Sequence, residues 1–231
     1  MTRIIFKISL SLLIISFGQS QEIKTVQIQF SREVQREKHT DNSEGFIYYQ
    51  DDKVTVQITK PLKQWMILES GVMLIYYPVE QEALRFKNTL QSTLPFLDFF
   101  IRIVNEDLGL NELGYRIDKN EFINDTLFTH WIPDEKDKNR MGPVILALND
   151  NRIVLSESKD TKGKTIIKTL YQNYIDFQSK YLPMKMIIYQ YLDTGTIVEN
   201  IQYSNPLIDK PLPREILDFR IPETINIEDI E

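Results

Sequence analysis

The chain has 231 residues, with 27 Lys and Arg against 33 Asp and Glu, for a formal net charge of -6. It contains no Cys, which excludes disulfides, thiolate chemistry, Cys-based metal sites and the lipid-bearing Cys of an anchored bacterial lipoprotein. An acidic chain without a basic tract is a poor nucleic-acid binder, so no nucleic-acid partner is expected.

The first segment, "MTRIIFKISLSLLIISFGQSQ", places Arg3 and Lys7 ahead of or within the start of an apolar run, and Gly18 and Ser20 just before Gln21. This is the pattern of a cleavable export signal, and the run is shorter than the roughly 20 residues a spanning helix requires. Residues 1–20 are therefore expected to be removed, leaving 21–231 as one domain. Cleavage removes Arg3 and Lys7 with no acid, taking the formal charge to -8.

Strand patterns follow in chain order. "TVQIQF" sets Val26, Ile28 and Phe30 against Thr25, Gln27 and Gln29, and "KVTVQIT" sets Val54, Val56 and Ile58 against Lys53, Thr55 and Gln57. A period of two marks half-buried antiparallel strands, although Ile23, Val26, Phe30 and Val34 also fit a helical spacing. Further strand-like runs are "GFIYYQ", "PLKQWMIL", "VMLIYYP", "TLFTHWIP", "PVILAL", "RIVLSES", "TIIKTLYQNYIDF", "MKMIIYQYL" and "TIVENIQY". Turn chemistry separates them at "DNSEG" (41–45), "QDD", "ESG", "NDN", "DTKGK" and "DTG". Ten or eleven hairpin-connected strands are expected.

One segment breaks the series. "LPFLDFFIRIVNEDLG" (94–109) predicts a helix, with Ser92 or Thr93 as N-cap, Pro95 in the first turn and Gly109 as its stop. Its polar residues occupy an arc of only roughly 100°, so the apolar arc is about twice the width an ordinary surface helix needs. Phe46–Tyr49, Trp65–Leu68 and Val72–Tyr77 are apolar on both strand faces, so part of the sheet is covered on both sides or curls around something. A curved sheet receiving the helix on its concave side fits both observations. Full burial of eight apolar side chains would contribute on the order of 12–24 kcal/mol, an upper bound.

Catalytic patterns are missing from the sequence. Only His39 and His130 occur, and no G-x-S-x-G, P-loop, G-x-G-x-x-G or H-E-x-x-H motif is present. Asp51–Asp52, Asp134–Glu135 and the terminal acids read as solvated loop carboxylates. No enzymatic activity, cofactor or metal is expected.

At "SEGFIYYQDDKVTVQITKPLKQWMILESGVMLIYYPVEQ" the sequence resembles the periplasmic outer-membrane lipoprotein carriers, the LolA-like family. The matching positions are Gly45, Lys60-Pro61, Trp65, Gly71, Leu74-Ile75-Tyr76-Tyr77-Pro78 and Glu80-Gln81. Phe30 in "IQFSRE" is similar to the family's first strand, and "LDFRIPETINIED" to its closing strand and acidic tail. The similarity covers about residues 26–81 and 216–229.

The resemblance implies an α+β fold: a curled antiparallel sheet, an incomplete barrel of about eleven strands, with helices across its concave apolar face. It further implies a monomeric periplasmic carrier that holds acyl chains of lipoproteins, passing them from an inner-membrane exporter to an outer-membrane receptor without chemistry. Phe46, Tyr48, Trp65, Ile67, Leu74 and Tyr76 would line the cavity, with Leu97, Phe100, Ile101 and Val104 facing it from the helix. The inward assignment rests on alternation, and a shift of one residue exchanges the two faces. Lys60 stands where the family commonly has an Arg that latches the lid, and a Lys cannot form that planar fork. The helix that normally precedes the first strand has almost no room here. Two rivals remain: a lipid-binding, sensing or scaffolding module of the same shape, not involved in lipoprotein sorting and with its interior filled by its own side chains, and an exported enzyme.

Overall fold

The computed structural model describes residues 23–87, 107–177 and 180–230. Fourteen strands make one sheet: β1 (Thr25–Arg36), β2 (His39–Gln50), β3 (Lys53–Lys60), β4 (Gln64–Glu69), β5 (Val72–Tyr77), β6 (Glu82–Lys87), β7 (Tyr115–Ile123), β8 (Thr126–Pro133), β9 (Val144–Asn149), β10 (Arg152–Lys159), β11 (Thr165–Phe177), β12 (Lys180–Leu192), β13 (Gly195–Ile208) and β14 (Ile227–Ile230). Their order is β14-β6-β5-β4-β3-β2-β1-β13-β12-β11-β10-β9-β8-β7. Two antiparallel meanders, β1–β6 and β7–β13, are thus joined where β1 pairs with β13. β14 returns to lie parallel to β6 at one edge.

Hairpin turns follow local chemistry. Asp51 and Asp52, Asn124 and Asp125, and Asp150 and Asn151 all have positive φ at both positions, the backbone that two-residue hairpins demand and that Asn and Asp tolerate best. In the β10–β11 connection, Asp160 Oδ1 accepts from the N–H groups of Lys162 and Lys164. "DNSEG" is not a turn: it lies inside β2, paired with β1. Gly45 serves a close approach instead, since a Cβ there would stand 2.1 Å from the carbonyl oxygen of Gln57 on β3.

The expected α+β architecture, with about eleven strands and covering helices, is corrected. All eleven predicted segments fall in strands β1–β5 and β8–β13, but β6, β7 and β14 add three more. Among the described residues the only helix is the four-residue α1 (Arg214–Leu217), a single turn and too short to span a sheet face. The described residues are therefore an open, all-β sheet. Of the predicted helix, residues 94–106 lie outside the described residues. Its last three form a turn in which Leu108 and Gly109 have positive φ.

Candidate functional site

Register assigns every strand residue to one of two faces, because directly paired residues share a side. On the first face run the rows Ile28–Ile47–Val56–Met66–Ile75 and Tyr49–Val54–Leu68–Met73–Phe86. The same face continues across the β1–β13 junction through Phe30–Tyr203 and Ile201–Met186–Tyr171. One apolar cluster joins these residues from both meanders, and we call this the core face. Ile28, Ile47, Val56 and Ile188 are 0 % exposed, so protein covers them in this structure.

Four of the six methionines, Met66, Met73, Met184 and Met186, belong to that cluster. Their unbranched, polarizable side chains adapt to irregular apolar shapes. The polar groups on this face are paired. Arg32 Nε and Nη2 donate to the two carboxylate oxygens of Glu199 at 2.6 and 3.1 Å, with Glu199 only 1 % exposed. Tyr171 Oη and Ser156 Oγ lie 3.0 Å apart. Burial, and then the nearby charge of Glu199, push the Tyr203 hydroxyl well above its ordinary range.

On the opposite face two rows, Phe46–Gln57–Trp65–Tyr76 and Tyr48–Thr55–Ile67–Leu74, carry all six strand residues expected to line the cavity. The structure brings the six together, on the side away from the main cluster. The chain's own C-terminal segment lies over the four aromatic ones: Tyr48 packs with Leu212 and Ile216, and Phe46 and Trp65 border that group. Phe219 stacks on Trp65 with ring centroids 4.0 Å apart and planes 14° apart, and its ring centroid lies 6.4 Å from that of Tyr76. Burial, with Glu215 beside it, raises the Tyr48 hydroxyl. This cover explains why β2, β4 and β5 are apolar on both faces. The signal was present in the sequence, since Leu212, Ile216 and Phe219 are spaced as one helical stripe.

Leu97, Phe100, Ile101 and Val104 lie outside the described residues. Lys60 is exposed, and its Nζ donates to Glu44 Oε2 at 3.0 Å. The two histidines make local pairs, His39 with Asp41 at 2.7 Å and His130 with Glu121 at 2.9 Å. One group that the sequence did not single out is Arg152, whose guanidinium carbon lies 4.6 Å from the ring centroid of Tyr181 and 5.9 Å from that of Tyr174.

The chain shares its fold with a group of solved structures. It is similar to a LolA superfamily protein of Nitrosomonas europaea at 18% identity and TM-score 0.59, covering 84% of this chain and 89% of that one. A DUF1329 family protein of Desulfovibrio piger has the same coverages, at 13% identity and TM-score 0.61. An outer membrane lipoprotein-sorting protein domain of Vibrio parahaemolyticus also matches over 84% and 89%, at 12% identity and TM-score 0.58. No family model matches the sequence, and no curated protein does.

Proposed function

We propose that this protein is an exported carrier that shelters acyl chains of lipoproteins, or of other lipids, and moves them between membranes unchanged. In this reading the chains lie against the core face, one register step from the residues the alternation suggested. Phe46, Tyr48, Trp65 and Tyr76 of the opposite face seat the C-terminal segment. The donor would be an inner-membrane exporter and the acceptor an outer-membrane receptor, with transit through the periplasm.

The observation that carries the reading is the continuous apolar face with four clustered methionines on a fold shared with a lipoprotein-sorting domain. Because its central residues are buried, cargo must displace protein contacts, and uptake competes with closure. A chain of roughly sixteen carbons is worth about 12 kcal/mol fully desolvated. A micromolar Kd needs only about 8 kcal/mol, so about 4 kcal/mol remains to offset the displaced contacts. Affinity on the order of micromolar, loose enough for release, is expected.

The test is titration of delipidated protein with a fluorescent fatty-acyl probe. Saturable binding is expected, displaced by unlabelled hexadecanoate. Met73→Trp, which fills volume without adding charge, should weaken uptake about tenfold while unfolding stays cooperative. Folded, delipidated protein that takes up no probe would instead support a module whose interior is permanently filled.

A further inference from the structure

Arg152 opens β10 directly after the Asp150–Asn151 turn, at the end of the sheet where β11 finishes and β12 begins. Its guanidinium lies over the rings of Tyr174 and Tyr181, a cation–π arrangement that holds a positive charge in place. Tyr174 is fixed in turn, because its hydroxyl donates to the carbonyl of Ile153. Burial pushes that hydroxyl far above its ordinary range, so the phenol stays a neutral donor.

What Arg152 lacks is an acceptor. Its Nε is buried with no hydrogen-bond partner. Neither Asp150, beside it in sequence, nor Asp176, paired with Tyr181 across β11 and β12, satisfies that Nε. A guanidinium carries five donors, and a buried donor left unmade is costly. Tyr174, beneath the guanidinium, and Ile153, whose carbonyl it holds, both pack against the main apolar cluster.

We propose that Arg152 receives the anionic head, a carboxylate or phosphate, of an amphiphile whose alkyl chain enters the core face. A planar fork matches either oxyanion with two parallel hydrogen bonds. The tyrosine rings pre-set its orientation, and Tyr174 itself packs against the apolar cluster. The inference rests on the acyl-binding reading above and deepens it: the preferred ligand is anionic, and Arg152 sets that preference.

The experiment compares hexadecyl phosphate, hexadecanoate and hexadecanol as competitors of the acyl probe on the delipidated full chain, for wild type, Arg152→Met and Arg152→Lys. Wild type should favour both anions over the alcohol by about tenfold or more. Arg152→Met should erase that preference and leave the alcohol's affinity unchanged, whereas a merely structural role would weaken all three ligands together. Arg152→Lys, with charge but no fork, should fall between. Equal affinity of wild type for the three competitors overturns the proposal and leaves acyl binding intact. Loss of binding to every ligand, the alcohol included, removes both. Inorganic phosphate competing as well as hexadecyl phosphate would mark a free-anion site and also overturn it.

Discussion

At the scale of single residues, the stack of Phe219 on Trp65 is the tightest ring contact described between the C-terminal segment and the sheet. Such pairs contribute roughly 0.5–1.5 kcal/mol beyond area burial. Phe219→Ala should therefore lower unfolding free energy by about 1–3 kcal/mol, since Phe219 is only half-buried. It should also red-shift tryptophan emission. The chain has two Trp, and the second, Trp131, is buried with its Nε1 donating to Thr129. A Phe219→Ala spectrum identical to wild type would show that the segment does not rest on Trp65. The sequence announced these aromatics as a group but could not say which side of the sheet they faced. A strand apolar on both sides gives no alternation from which to choose, and a one-residue shift exchanges the faces. Gly45 was legible as special for a different reason from the one that holds: it sits at a close approach to β3, not in a turn.

Among the elements, β14 is the one whose attachment depends most visibly on charge. Asp229 faces Arg85 Nη1 at 3.2 Å and Lys87 Nζ at 3.3 Å on β6. The hydrogen bond from Lys87, with the charges of Lys87 and Arg85, holds its carboxyl below the ordinary range against some desolvation. A carboxyl depressed in the folded state stabilises above its unfolded value and loses that contribution as pH falls through the folded one. Acidification below about pH 4 should therefore loosen β14, and Asp229→Asn should do so at neutral pH. Amide hydrogen exchange along β6 and β14 reads this directly. Unchanged protection in Asp229→Asn would show that the strand pairing holds without its ion pairs. β14 was foreshadowed only by resemblance, and β6 and β7 were not recognised at all. β7 explains why: Arg116–Asn120 are exposed on a strand at the sheet's edge. Charges there discourage further pairing and erase the periodic signal that interior strands carry.

For the molecule as a whole, local periodicity was enough for eleven strands and turn chemistry for most of the turns between them, the β1–β2 connection excepted. Their assembly was not legible. The join between the meanders pairs β1 with β13, for example Phe30 with Tyr203, and β14 pairs with β6 in parallel. Neither contact leaves a local pattern in the chain. Helices across a concave face do not occur among the described residues, where the architecture is sheet throughout apart from α1. The central claim is that the core face, rather than the aromatic face under the C-terminal segment, receives hydrocarbon. Photocrosslinking with a hexadecanoate bearing a diazirine near its methyl end, followed by peptide mass mapping, tests it most directly. Saturable adducts on Met66, Met73, Met184 or Met186 are the expected result. Adducts confined to Phe46, Tyr48, Trp65, Tyr76 and residues 212–219, or no saturable adduct, would contradict it.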